Sequence, residues 1–209
     1  MPGAEISRQG SSCAGTDVSG GQIREAFRLA RDESLKVRFI TAPAERTPFR
    51  DGSFDVITAN QCWLYFDRER ILPDVVRLLD ADGVLTTSHF SWLPRIDPIA
   101  QASEALVLSH NPRWSAADWH GEIPPIPSWA VGLFQLVTMF WYDEAVPFTR
   151  ASWRGRLRAC RGIGATLERD QVEAFDREHQ VLLESLVPEE FTVLHRIDAH
   201  ILRPVSPRR

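Results

Sequence analysis

Pro48-Phe49-Arg50-Asp51-Gly52-Ser53-Phe54-Asp55-Val56-Ile57-Thr58 runs from a polar turn straight into an apolar, β-branched stretch headed by an aspartate. The pattern predicts a strand over 54–59. Upstream, Cys13-Ala14-Gly15-Thr16-Asp17-Val18-Ser19 reads as a strand ending in an acidic residue, and Lys36 to Thr41 as a short β-branched and aromatic strand. Between them, Ser19-Gly20-Gly21-Gln22 has capping-box spacing, and Ile23, Ala26, Phe27 and Ala30 recur at helical intervals, so a helix is expected from about Gly20 to Asp32. Downstream, Ile71, Leu72, Val75, Val76 and Leu79 form one stripe of a helix over 67–80, with Pro73 implying a kink or a short first turn and Gly83 expected just past its end. A further strand is expected over 83–89. Strands alternating with helices at this spacing argue for β-α-β units and a parallel sheet covered by helices.

The order of Gly15 to Gln22, Pro48 to Asn60 and Leu78-Leu79-Asp80-Ala81-Asp82-Gly83-Val84-Leu85-Thr86-Thr87 resembles the class I S-adenosylmethionine (SAM) methyltransferases, of the small-molecule branch related to ubiquinone and menaquinone biosynthesis. The resemblance implies a Rossmann-like α/β sheet with an antiparallel last strand inserted beside the one before it. It also implies an N-terminally truncated chain: no strand followed by a glycine-rich loop is read in residues 1 to 16, where Ala4 to Gly10 looks like the tail of a first helix, and the family's first strand is a central one. A single domain over 1–209 is expected, with 90–136 as an insertion or cap over the acceptor site, irregular through the prolines of 112–129.

Composition sets the outer limits. With 209 residues, 44% hydrophobic and 25% charged, and a net charge of −4, the chain has the make-up of a soluble globular domain without the basic footprint of a nucleic-acid binder. Cys13, Cys62 and Cys160 are widely spaced and odd in number, which suggests neither a disulfide framework nor a zinc site and points to a reducing, cytoplasmic setting. No signal peptide, membrane span or metal is expected; in His195-Arg196-Ile197-Asp198-Ala199-His200, strand alternation separates His195 from the other two.

Asp17 stands at the carboxyl end of a strand and before a helix, where open α/β sheets bind ligands. The resemblance gives Asp17 and its neighbour Val18 to the cofactor ribose, although NAD-binding folds use an acidic residue in the same way and a turn aspartate is the plain alternative. It gives the adenine to Ala44 and Glu45, with Pro43 replacing the usual acidic residue, and the methionine end of SAM to Asn60 and Gln61. Leu64 stands where relatives carry a histidine, so a base at that position is absent; Trp63 and Phe66 read as core. His89 and His110 are the candidate proton acceptors. Arg158, in the stripe Arg150, Arg154, Arg158 and Arg161, is the candidate for an anionic acceptor, a solvated face being the alternative. Trp92, Trp114, Trp119, Trp129, Trp141 and Trp153 could line an apolar pocket or close a small core. The sequence thus points to methyl transfer from SAM to a small molecule, apolar or aromatic and possibly anionic, or to a chain that is inactive or dependent on a partner; a NAD-dependent oxidoreductase is the third reading.

Overall fold

A computed structural model describes residues 11–205; the expected helix tail at Ala4 to Gly10 lies outside them. The elements are β1 (Cys13–Asp17), α1 (Gly20–Asp32), β2 (Val37–Thr41), β3 (Phe54–Asn60), α2 (Arg68–Leu78), β4 (Leu79–Trp92), α3 (Pro98–His110), β5 (Phe134–Thr149), α4 (Arg150–Arg158), α5 (Arg169–Leu186) and β6 (Glu190–Pro204). Two sheets form. One is the parallel pair β1-β2, and the other has the order β3-β4-β6-β5. The chain makes two compact units, one built from the chain up to Ser88, Pro125–Phe140 and the chain from Ala199, the other from His89–Pro124 and Trp141–Asp198.

In the first unit, Ser19 caps α1 by accepting the Gln22 N–H at 3.3 Å, and Ile23, Ala26 and Ala30 form its buried stripe. β3 and β4 run parallel from Phe54↔Leu79 to Asn60↔Ser88. Gly83 does not terminate a helix. The helix stops at Leu78, and the register slips between Phe54 and Val56, taking Asp80 to Gly83 into the strand segment. A Cβ at Gly83 would lie 3.0 Å from the Phe54 carbonyl oxygen, so glycine is required there by close approach and not as a helix stop. Pro73 lies inside α2 and removes one of its ladder hydrogen bonds. The core gathers Trp63, Ile71, Leu72, Val75, Leu85, Phe134 and Leu202. Trp63 is 1% exposed and meets Phe66 edge-on, which bears out the reading of both as packing residues.

In the second unit the Leu93 N–H donates to the Leu194 carbonyl while His89 meets Asp198, so β4 and β6 run antiparallel. Arg196 pairs with Asp143 in the same unit, and in the first unit the Val205 N–H donates to Leu133; the falling index on one strand against the rising index on the other makes β5 antiparallel to β6 as well. β5 is an edge strand, with Phe140, Trp141 and Tyr142 each about half exposed. Helix α3 escaped the sequence reading, because almost no amphipathic stripe marks a helix buried on several sides. Its signal is Asp97-Pro98, a cap followed by proline in the first turn. Asp97, 8% exposed, accepts from the Ile99 and Ala100 N–H groups with one oxygen and from Leu194 N–H with the other, which satisfies a carboxylate that burial would otherwise penalise.

The second core gathers Trp92, Val107, Trp153, Leu157, Phe175, Leu183 and Val193. Within it the Trp153 indole N–H donates to Ser103 Oγ at 2.9 Å, and Ser103 Oγ lies 3.1 Å from Nε2 of the fully buried His179. Burial pushes His179 down to about 4, against the opposing pull of Asp176. Because the folded pKa lies below the ordinary 6.5, the unfolded chain binds this proton more readily, and stability is full above about 6.5 and lost as pH falls toward about 4. Unfolding free energies from urea titrations across that window should fall by an amount on the order of 3 kcal/mol for this group, and His179→Phe should flatten the slope. A second test concerns the turn after α4, where a Cβ at Gly164 would sit 2.2 Å from the Arg158 carbonyl oxygen. Gly164→Ala should lower stability by about 2 kcal/mol or more in the same assay.

Candidate functional site

The cofactor residues expected from the sequence all lie in the first unit, at or just after the ends of β1, β2 and β3. The Asp17 carboxylate ends β1; its Oδ1 accepts the Ser19 N–H at 2.7 Å, while its other oxygen has no partner among the described residues. The Asp17 carbonyl accepts the Ala42 N–H at 3.1 Å, tying the end of β1 to the end of β2. One oxygen fixed and one available is the state in which a carboxylate can receive hydroxyls without first breaking a bond. Val18, next in the chain, is 71% exposed.

After β2 the chain turns with Arg46 N–H on the Pro43 carbonyl, and within this turn the Ala44 N–H makes no hydrogen bond among the described residues while its side chain packs on the core. Glu45 is partly committed: its Oε1 accepts the Asp67 N–H at 3.2 Å at the start of α2. After β3, Gln61 donates its N–H to the Ser88 carbonyl at 2.8 Å and takes a left-handed conformation with φ 51°. That conformation is costly for a residue with a Cβ and turns the chain sharply into the 3₁₀ turn Cys62–Tyr65. Burial pushes the Cys62 thiol up, and the charge of Asp17 adds to the push. Asp17 and Asn60 end β1 and β3, and Ala44, Glu45 and Gln61 lie in the turns that follow β2 and β3, all in the first unit. The glycine-rich loop of the family is not among the described residues.

The candidate catalytic residues belong to the second unit. His89 follows Ser88 in β4, and its Nδ1 lies 3.1 Å from Oδ2 of Asp198. His110 lies 3.0 Å from Glu178 and meets Phe175 edge-on. The arginine stripe is not a free solvated face. Arg150 donates to the Val187 carbonyl, and Arg154 and Arg158 both bind Asp176. Burial raises the Asp176 carboxyl, but the two guanidiniums outweigh it and hold the group below its usual range. The tryptophans do not gather in one place. Trp92 and Trp153 are core of the second unit, Trp129 packs at a tilt against Trp63 in the first, and Trp141 is half exposed under the Arg196 guanidinium. Sequence reasoning placed Asp198 on a strand face opposite to His195 but assigned it no role; its contact with His89 depends on the antiparallel pairing of β4 and β6, separated by more than 100 residues of chain. Among the described residues no three His, Cys, Asp or Glu side chains are grouped so as to hold a metal ion, and no helix is long and apolar enough to cross a membrane.

The methyltransferase-domain family model matches residues 3–87. The demethylmenaquinone methyltransferase of Thermus thermophilus is 34% identical over 95 residues, 45% of this chain and 40% of the relative. The ubiquinone/menaquinone biosynthesis C-methyltransferase UbiE of Vibrio campbellii is 30% identical over 92 residues, 43% of this chain and 35% of the relative. The match thus spans less than half the length of these relatives. In three dimensions, the putative type II methyltransferase of Anaeromyxobacter dehalogenans superposes with a TM-score of 0.53 over 91% of this chain and 79% of that one, at 20% identity. The chain is similar to the small-molecule class I methyltransferases, by sequence in its N-terminal part and by fold over most of its length, and the inserted antiparallel β6 agrees with the sheet that the sequence predicts.

The strain at Gln61 is open to measurement. Replacing Gln61 by glycine, which adopts positive φ without penalty, should raise the unfolding free energy measured in urea by about 1 kcal/mol if the left-handed turn is maintained against the residue's own preference. An equal or lower stability would show that contacts of the glutamine side chain outweigh the backbone cost.

Proposed function

We propose that the chain serves SAM-dependent methyl transfer to a small molecule whose body is apolar or aromatic. The observation that carries this reading is the Asp17 carboxylate at the end of β1, fixed through one oxygen by Ser19 and with the other unpartnered among the described residues. In this reading Asp17 receives the ribose hydroxyls and Val18 flanks them. The Ala44 N–H, with Glu45 beside it, meets the adenine edge, and Asn60 and Gln61 border the methionine end. SAM, when bound, supplies an electrophilic methyl on a sulfonium. What the chain contributes is orientation, exclusion of water and a place for any proton that the acceptor releases. Within the second unit, His89 is the candidate proton acceptor. Arg158 serves an anionic acceptor only when its pair with Asp176 opens, so it ranks behind His89.

The similarity to methyltransferases of menaquinone and ubiquinone biosynthesis favours an acceptor with a quinol-like body. Three free cysteines agree with a reducing cytoplasm.

Titration calorimetry with SAM tests the assignment. The chain should bind SAM, and Asp17→Ala should weaken that binding by about 1 to 3 kcal/mol through the loss of the hydroxyl hydrogen bonds. Unchanged affinity in a folded variant would remove Asp17 from the ribose, and absence of binding by the parent chain would overturn the reading.

A further inference from the structure

One cavity of the first unit lies apart from the strand ends that the cofactor reading uses. It is an open groove of about 980 Å³ between α1 and the amino ends of β1 and β2, where Ser12, Cys13, Lys36 and Val37 line it. Five of the twelve described residues along it are cations and none of the twelve is an acid, in a chain whose net charge is −4. Two of the five are already engaged: Arg28 with Glu25 and Asp32, and Arg38 over the ring of Phe49. Arg24, Arg31 and Lys36 are exposed and have no acidic partner among the described residues.

Cations near the end of a helix commonly serve its last carbonyls. Here the main chain already does so: Leu29, Ala30 and Arg31 accept the N–H groups of Glu33, Leu35 and Ser34 at 3.1, 2.8 and 3.0 Å. The turn that makes these bonds holds Ser34 in the left-handed region, with φ 57°, where glycine would be free of strain. A serine at that position keeps a hydroxyl beside the groove, as Ser12 does. Apolar residues complete the lining, among them Leu35, Val37 and the half-exposed Phe27.

We propose that this groove binds a small organic molecule carrying two or more linked phosphates, with its apolar or aromatic body against Phe27, Leu35 and Val37. The guanidinium fork matches phosphate oxygens, and serine hydroxyls donate to them. Arg24 and Arg31 are seven residues apart on α1, hence on one side of the helix and about 10 Å apart along its axis. That separation exceeds what one phosphate spans, and Lys36 adds a third charge, so more than one anionic group is called for. The groove is not a second description of the cofactor site. Asp17 ends β1 four residues beyond Cys13, about 13 Å along the strand. SAM also carries a sulfonium cation, which three uncompensated cations repel. The inference is therefore independent of the methyltransferase reading.

The test titrates the full chain into mant-GDP, a fluorescent nucleotide with two linked phosphates and an aromatic body, and follows its anisotropy. Binding should saturate below about 1 mM chain. Inorganic pyrophosphate should displace the probe, guanosine should not, and saturating SAM should leave it bound. Arg24→Gln combined with Arg31→Gln should weaken binding about tenfold or more. Arg68→Gln combined with Arg70→Gln, which removes the same charge from α2, should change it less than about twofold. All four arginines are exposed. Lys36→Gln, at a position outside any helix or strand, should weaken binding in the same direction and serves as the test if the first double variant loses its circular dichroism spectrum. Equal losses in the two double variants, displacement by SAM, or no saturation by about 1 mM overturns the proposal. Displacement by phosphatidylglycerol vesicles at a lower phosphate concentration than pyrophosphate requires also overturns it, because the occupant would then be a lipid surface and not a soluble ester.

Discussion

The register of β4 against its neighbours is the constraint on which most of the molecule depends. Parallel pairing with β3 brings Asn60 opposite Ser88 and lets the Gln61 N–H close on the Ser88 carbonyl. Antiparallel pairing with β6 brings His89 to Asp198. Since a slip of one residue exchanges the faces of every side chain on a strand, both contacts exist only at this register. They are adjacent in the chain because Ser88 and His89 are adjacent. The apolar side chains Leu79 and Leu85 hold the register by facing the core, where each is at most 5% exposed.

The same strand shows how polar groups become tolerable inside the second unit. Asp97 shares its two oxygens between the start of α3 and the backbone of β6, Glu104 receives the Trp92 indole N–H and the Asp118 N–H, and Ser103 links Trp153 to His179. Each is a buried group given partners from a distant stretch of chain. Burial raises the Glu104 carboxyl and lowers the His179 and His195 rings, so this core favours neutral forms unless a partner of opposite charge is supplied. Arg154 and Arg158 supply it at Asp176, which stays ionised.

Local patterns were legible in the sequence where one face of an element is buried and the other is not. The Ser19 cap and the stripe of α1 gave Gly20–Asp32 as expected. Asp17 and Asn60 were legible as polar residues that end apolar strands, whereas Ala44, Glu45 and Gln61 were singled out only through the resemblance. What was not legible was pairing across the chain. Gly83 reads as a helix stop until the Phe54 carbonyl is seen beside it, the arginine stripe reads as solvated until Asp176 from α5 meets it, and Asp198 means nothing until His89 lies opposite.

One edge of the larger sheet has a consequence for how the protein behaves in company. β5 pairs with β6 on one side only, and along its outer side Val137, Phe140, Trp141 and Tyr142 are about half exposed. An edge of this length with aromatic side chains and free backbone groups is a ready template for another strand, and natural sheets blunt such edges with charge or proline. Here the blunting is concentrated at one end, in Asp143, Glu144 and Pro147. Asp143 is also drawn back toward its own chain by Arg196, which leaves Glu144 as the nearest gatekeeper to the aromatic run. Colloidal behaviour at high concentration is therefore governed by a few side chains on this strand, independently of how firmly the two cores are packed.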